Sequence, residues 1–299
     1  MLKYSIKQLE IFNAVAEHSS VSAAARNLSM TQSAVSMSLS QLEKLLDRPL
    51  FIRQGNRLLL SHWGRWLRPK ARKLVQDARQ IELGVHDQQV ISGVLKLSTS
   101  QTAGEHLIPD LISHLGENFP ELRIELVVEN TEHVTEGILN YDYDLGVIES
   151  RNDDSRIHHE PWLDDHLAIV ASPYHPFAQT DVVSIAQLEQ EKWVLREHGA
   201  GTRGIFDGAI HGLVDNLHVW REYQHVPVLK AMVKQGSCLS ALPFLDVEKE
   251  VKEGSLVILN TPQLNLDRTL SFIWLDSAGE NPLRDCILSE GRRQVRTRK

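Results

Sequence analysis

The sequence predicts an all-α winged helix-turn-helix followed by a linker helix and an α/β domain of two Rossmann-like lobes. Three observations carry this expectation. Two short amphipathic patterns meet at a turn between His18 and Glu43, an apolar seam at heptad spacing begins at Leu67, and strand and helix patterns alternate from Ser92 onward. The 299 residues, 42% of them hydrophobic, suffice for two or three cores.

The net charge of −7 is unevenly distributed. Met1 to Ser92 carries +6, from 13 basic and 7 acidic residues, and the remainder carries −13. A basic amino-terminal third on an acidic body is the asymmetry expected when one end meets phosphate. Cys238 and Cys286 lie far apart without CxxC spacing, which fits a reducing compartment. Lys3, Lys7 and Glu10 interrupt the first apolar residues and no uncharged apolar run reaches membrane-spanning length, so a cytoplasmic location and no membrane partner are expected.

Ser5 caps a first helix with Ile6, Leu9, Phe12, Val15 and Ala16 on one side. A second helix repeats Val21, Ala24, Ala25 and Leu28, with side chains small enough for close packing. Asn27 and Ser29 break it, Thr31 caps a third helix, and Val35, Leu39 and Leu42 face its core. Gln32, Ser33, Ser36, Met37 and Ser40 fall on the opposite face, which has no charge before Glu43. Lys and Glu are the usual choice for a solvated helix. Hydroxyls and amides without charge suit the floor of a DNA major groove, and Thr31 at the helix start directs free N–H groups towards phosphate. The competing reading is a packed helical hairpin whose serines are incidental.

From Arg48 to Ser61, two short apolar runs flank Gln54-Gly55-Asn56, the pattern of a hairpin or wing, with Arg53 and Arg57 placed to reach DNA backbone or minor groove. The stretches Gln8 to Phe12, Ala23 to Leu28, Thr31 to Ser36, Leu42-Glu43, Leu50 to Arg53 and Leu60 to Gly64 together resemble the DNA-binding domain of LysR-type transcriptional regulators. One departure is Ser33, where that family usually has proline. The resemblance implies double-stranded DNA as partner and Thr31, Gln32, Ser33, Ser36, Met37, Ser40, Arg53 and Arg57 as the DNA-contacting set.

Leu67, Ala71, Leu74, Ala78, Ile81 and Val85 are then spaced as an a/d seam within a helix running from Trp63 to Gln89. The alternative is a core helix of one domain. The resemblance implies a dimerising linker helix, hence a homodimer that assembles further into a homotetramer. Arg65, Arg68, Lys70, Arg72 and Lys73 keep its first half basic.

Beyond Ser92-Gly93, strands are expected at Val94–Ser98, Ile124–Val128, Tyr143–Ile148, Leu167–Ala171, Trp193–Arg196, Leu217–Glu222, Leu239–Leu242 and Thr269–Trp274. Helices are expected near Glu105–Asn118, Thr131–Asn140, Thr202–Val214, Val226–Gln235 and from Pro282. The alternation predicts mostly parallel sheets covered on both faces. Domain boundaries are placed at 1–62 for the DNA-binding unit, 63–91 for the linker helix and 92–299 for the effector domain. Within the last, lobe I is 92–161 with 267–299, and lobe II is 162–266. The resemblance implies the same hinged architecture, similar to periplasmic binding proteins.

Ligands in such sheets lie beyond the carboxyl ends of the strands, where helix amino termini converge. Ser98 to Gly104, Glu129 to Thr131 and His198 to Gly204 are the turns that qualify, Thr131 being expected as the N-cap of its helix, and capping is the plain alternative for each of their hydroxyls. The resemblance supports Ser100, Gln101, Thr102, Thr131 and Thr202 as effector contacts. Glu149, ending a strand, would repel an anion unless Arg203 or another cation offsets it. Stretches His159 to Asp165 and Trp193 to Arg203 resemble a branch of the family linked to sulfite and sulfur metabolism, which implies a small anionic effector such as an inorganic oxyanion, and no cofactor.

Gly199 to Gly204 also spells GxGxxG after a strand, with Glu222 ending the next strand, so a nucleotide-binding enzyme is the alternative. No catalytic set is identified. The 14 histidines show no paired metal spacing, and no metal site is expected. Cys238, where the family commonly has a second glycine, is read as a buried inert thiol against a redox alternative.

Overall fold

The computed structural model describes residues 3–55, 57–86, 91–149 and 154–298 and divides into two compact units, the first through Val90 and the second holding most of the chain from Ile91. Asn56 at the expected hairpin tip, the Val85 side chain and Gln89 lie outside the described residues.

The first unit contains α1 (Ile6–His18), α2 (Val21–Asn27), α3 (Gln32–Leu46), β1 (Phe51–Gln54), β2 (Arg57–Leu60) and α4 (His62–His86). Ser5 and Gln8 form a reciprocal capping box on α1, and Ser20 and Thr31 cap α2 and α3 through their hydroxyls. Each connection bends through a left-handed residue: Ser19 (φ 50°), Ser29 (φ 52°) and Asp47 (φ 52°). Leu9, Phe12, Val15, Ala24, Val35, Leu39 and Leu42 close one core.

β1 and β2 pair antiparallel, Phe51 opposite Leu60, and turn at Gly55 (φ 59°). Gly64 in α4 presses against the Leu50 carbonyl, where a β-carbon would collide. α4 passes through Pro69 without ending. The expected single seam on α4 divides in two. Leu67 and Ala71, with Val75, are buried in the core of the first unit, whereas Leu74 and Ile81 are exposed. The cause is the wide apolar stripe at the start of α4: its first turns serve α1 and the hairpin before any partner could use them.

The second unit adds β3 (Gly93–Ser100), α5 (Gln101–His106), α6 (Ile108–Asn118), β4 (Leu122–Glu129), α7 (Thr131–Leu139), β5 (Leu145–Ile148) and β6 (Ile157–Ala171). It continues with α8 (Ile185–Gln190), β7 (Lys192–Arg196), α9 (Gly201–Ile210), β8 (His218–Tyr223), α10 (Val226–Lys234), β9 (Ser240–Pro243), α11 (Phe244–Lys252), β10 (Val257–Ile258), β11 (Asp267–Leu275) and α12 (Pro282–Arg298). In lobe I, β3 lies parallel to both β4 and β5, and β11 runs antiparallel to β5 and β6. In lobe II, β7 is parallel to β8, while β9 and β10 pair antiparallel with β6. The sheets are therefore mixed rather than mostly parallel, because the two crossover strands return against the others.

β6 does not break at Pro161, the expected lobe boundary. It runs on for 15 residues, pairing with β11 over its first part and with β9 and β10 over its last, and accommodates Pro161 at a register shift. The charged stretch His158 to Asp165 hid this strand from hydropathy. Other departures are local. The helix expected from Glu105 is two helices, split at Leu107 by Pro109, and α9 ends at Ile210, ahead of Gly212 (φ 74°). α8 and α11 were not anticipated, although the Ser184–Gln187 capping box is a readable start signal for α8.

Each lobe has its own core. Trp162, expected in lobe II, packs with tilted rings against Phe272 and donates to the Gly291 carbonyl in the lobe I core, while Trp193 meets Phe206 and donates to the Leu188 carbonyl in lobe II. Cys238 is fully buried in lobe II, and burial raises its thiol pKa, which disfavours the reactive thiolate.

Candidate functional site

In the first unit the sequence separates the two faces of α3 cleanly. Val35 and Leu42 are fully buried and Leu39 nearly so, while Gln32, Ser33, Ser36, Met37 and Ser40 are all exposed, Met37 at 75%. Thr31 Oγ1 accepts the Ala34 N–H at 3.2 Å and lies 3.1 Å from Ser33 Oγ. Arg53 and Arg57 sit on exposed hairpin positions, opposite Leu58 and Gln54 respectively. Glu43, the first charge on α3, is not part of the exposed face. Its Oε1 accepts the Leu50 N–H at 2.7 Å and the Phe51 N–H at 3.3 Å, tying the helix to the root of the hairpin. A free face of donors and acceptors with arginines beside it can hydrogen-bond base edges and phosphates.

In the second unit, strand register gathers the turns. β3 pairs Ser100 with Glu129 of β4 and Thr99 with Val147 of β5, so the residues that follow these three strands emerge at one edge. Thr131 Oγ1 donates to Glu149 Oε2 at 3.1 Å, and Glu149 Oε1 lies 3.8 Å from Arg268 Nη1. The same guanidinium donates through Nη1 to Thr202 Oγ1 at 3.3 Å, with Nε and Nη2 at 2.8 and 2.6 Å from Asp165 Oδ2. Glu149, Asp165 and Arg268 are all deeply buried. Thr131, Glu149 and Thr202 are thus joined through Arg268, a residue that sequence reasoning missed. A lone arginine in an apolar strand (Arg268-Thr-Leu-Ser-Phe-Ile) was the available signal.

Ser100 Oγ is buried at the start of α5, caps nothing and has no hydrogen-bond partner. Thr102 Oγ1 donates to Asp246 Oδ2 at 3.1 Å, and His106 Nε2 lies 2.7 Å from Asp246 Oδ1. That hydrogen bond is the main cause raising the His106 pKa. Gln101 donates to Glu105 at 2.7 Å, one turn along α5. Glu105, His106 and Asp246 have ligand atoms within 4.8 Å of one another, and the hydrogen bonds from Gln101 and Thr102 and the His106 contact account for this grouping.

Two expectations need correction. Thr131 does not cap α7. Asn130 Oδ1 accepts the His133 N–H at 3.0 Å, leaving the Thr131 hydroxyl for Glu149. Arg203 does not offset Glu149 either: it pairs with Asp207 at 2.9 Å and with Glu222, because its place one turn before Asp207 and beside β8 offers nearer carboxylates. That pairing also bears on the dinucleotide motif. Glu222, the acid that would hold a ribose, is taken by Arg203, and Gly201 faces Thr131 and Glu149 so closely that a β-carbon would collide. A cavity of about 460 Å³ opens beside α7 and the His198 to Asp207 stretch, lined by Thr131, Glu136, Arg203 and Asp207 among others.

Residues 6–65 match the family model "Bacterial regulatory helix-turn-helix protein, lysR family", and residues 88–291 match "LysR substrate binding domain". The chain belongs to the LysR family of transcriptional regulators. It is 34% identical over 266 residues to a protein of Escherichia coli K12 named "Uncharacterized HTH-type transcriptional regulator YeiE", covering 89% of each chain. It is 31% identical over 270 residues to the HTH-type transcriptional regulator CysL of Bacillus subtilis, again covering 89% of each. The fold is similar to a full-length OxyR variant from Pseudomonas aeruginosa, with a TM-score of 0.78, 19% identity and coverage of 96% and 97%. LysR proteins of this kind are DNA-binding regulators with an effector-binding domain and not enzymes, so the nucleotide-enzyme alternative has no support. Among the described residues no helix is long and apolar enough to cross a membrane.

Proposed function

We propose that this LysR regulator is a cytoplasmic, sequence-specific DNA-binding protein controlled by a small oxyanion such as sulfite, held at the carboxyl edge of the strands, where Ser100 ends β3 and Thr131, Glu149 and Thr202 are joined through Arg268. The observation that carries the DNA reading is the uncharged α3 face, exposed opposite a fully buried one. Thr31, Gln32, Ser33, Ser36, Met37 and Ser40 read the major groove, and Arg53 and Arg57 hold the backbone. For the effector, the buried and unpartnered Ser100 hydroxyl and the starts of α5, α7 and α9 supply donors, with Gln101, Thr102 and Arg203 at the margins of the site.

The exposed Leu74 and Ile81 on α4 support a homodimer through that helix. The edge strand β4, with Leu126, Val127 and Val128 between 37% and 46% exposed, supports further assembly to a homotetramer. Effector binding draws the lobes together and shifts the geometry of the assembly on DNA, which requires different affinities in the two states. Footprinting on genomic DNA with and without sulfite, sulfate and a small carboxylate tests this. Protected sites whose extent changes with one of these anions are expected. Absence of any preferred duplex, or footprints indifferent to every anion, would remove the reading.

A further inference from the structure

We infer that the effector site selects an oxyanion that still carries a proton over one of the same size that carries none, with Glu149 as the discriminating acceptor. This rests on the reading of Ser100, Thr131, Glu149 and Thr202 as the effector site.

The argument is an inventory of hydrogens. A threonine hydroxyl has one hydrogen to donate and lone pairs to accept with. Thr131 gives its hydrogen to Glu149 Oε2 and Thr102 gives its own to Asp246 Oδ2, each at 3.1 Å, so both offer a ligand lone pairs only. Thr202 accepts from Arg268 Nη1 at 3.3 Å and keeps its hydrogen. Ser100 Oγ, buried without a partner, keeps its hydrogen as well. The group joined through Arg268 therefore has acceptors at Thr131 and Glu149 and a donor at Thr202, and Ser100, which ends β3 at the same edge of the strands, adds a second donor. A ligand that fills this edge must both accept and donate.

Charge points the same way. Arg268 is the cation that meets Glu149 among the described residues; its Nε donates to Asp165 Oδ2, and Nη2 lies 2.6 Å from the same oxygen without a hydrogen bond. Two carboxylates against one guanidinium leave the group at a formal −1, with Glu149 only 4% exposed and Arg268 Nη1 3.8 Å from it. A fully deprotonated dianion would bring oxygen against that carboxylate with no hydrogen between them, in a place where water screens little. An oxyanion with one proton left turns its O–H to Glu149 as a charge-assisted hydrogen bond and its remaining oxygens to Ser100, Thr202 and the backbone N–H groups. Hydrogen sulfite keeps such a proton up to about neutral pH, and phosphate keeps one on both sides of it, as dihydrogen and then as hydrogen phosphate. Sulfate does not.

Isothermal titration of the full-length protein with sodium sulfite under nitrogen, sodium phosphate and sodium sulfate tests this. Sulfite or phosphate is expected to bind at least about tenfold more tightly than sulfate. For sulfite, affinity should fall between about pH 6 and pH 8 as its proton is lost, while phosphate, which keeps one proton as hydrogen phosphate, stays ahead of sulfate, whose affinity stays flat. Glu149→Gln, which keeps the shape and removes the charge, should shrink the preference to within about threefold, with an unchanged far-ultraviolet circular dichroism spectrum as the folding control. Sulfate binding as tightly as the others, or a preference that survives Glu149→Gln, would overturn the inference and leave the oxyanion reading standing. No oxyanion binding by either protein would overturn both. If Glu149→Gln fails its control, the wild-type comparison and its pH course decide alone.

Discussion

Thr102 Oγ1 donates to Asp246 Oδ2 at 3.1 Å, joining the turn after β3 to α11 across 144 positions of sequence. Asp246 is only 3% exposed, so a residue proposed to touch the effector is already held from behind by a buried carboxylate. Removing Thr102 and Thr202 together takes away one acceptor and one donor. The Thr102→Ala, Thr202→Ala double variant should keep operator affinity within about twofold and lose the footprint change produced by the anion. A retained response would exclude this pocket.

The same carboxylate makes His106 pH-sensitive. Its pKa is raised above the ordinary 6.5, first by the hydrogen bond to Asp246, with Glu105 adding to the rise and burial and Lys230 opposing it. A pKa higher in the folded state means stability that is fully present below the ordinary histidine value and lost as pH rises through the folded value. Thermal melting from acid to mildly alkaline pH should therefore show a component of Tm that disappears over this window. His106→Gln should flatten it, and an unchanged profile would count against the pairing.

On α3, Ser36→Glu places a carboxylate on the exposed face. Like charges against phosphate cost several kcal/mol. Gel-shift titration should show operator binding abolished while analytical ultracentrifugation shows the oligomeric state unchanged.

Arg53 and Arg57 test the hairpin separately. If each meets a phosphate, Arg53→Ala or Arg57→Ala should weaken binding to all sequences alike and lower the slope of log affinity against log salt by about 1. A change confined to one base position would instead assign that arginine to groove reading.

Glu43→Ala should unfasten the hairpin from α3. Two backbone N–H groups, Leu50 and Phe51, lose their acceptor, at a cost of about 1–3 kcal/mol for the buried one. Chemical denaturation should report that loss, and operator affinity should fall although Glu43 points away from the exposed face. Gly64→Ala, which drives a β-carbon into the Leu50 carbonyl, should destabilise the same junction by about 1–3 kcal/mol.

The sequence by itself determined the amino-terminal unit almost completely. Its caps at Ser5 and Thr31 and the apolar spacing of α1 to α3 are local, and the uncharged face of α3 follows directly once Val35, Leu39 and Leu42 are turned inward. Most strands of the lobes were legible for the same reason, being apolar runs between turns. What only the tertiary structure decided was partnership. Leu67 and Ala71 proved to belong to their own core because α1 and the hairpin reach α4 first, which no heptad count contains. β6 crosses between lobes through a charged stretch whose cross-strand partners lie about a hundred residues away in β11. Above all, Arg268 meets Glu149, Asp165 and Thr202 from a strand far along the chain, and Arg203 is claimed by Asp207 and Glu222. Periodicity reports which side of an element is buried, because that depends on neighbours within a few residues. Which charge answers which is set by the closure of the sheets, and that is a property of the whole fold.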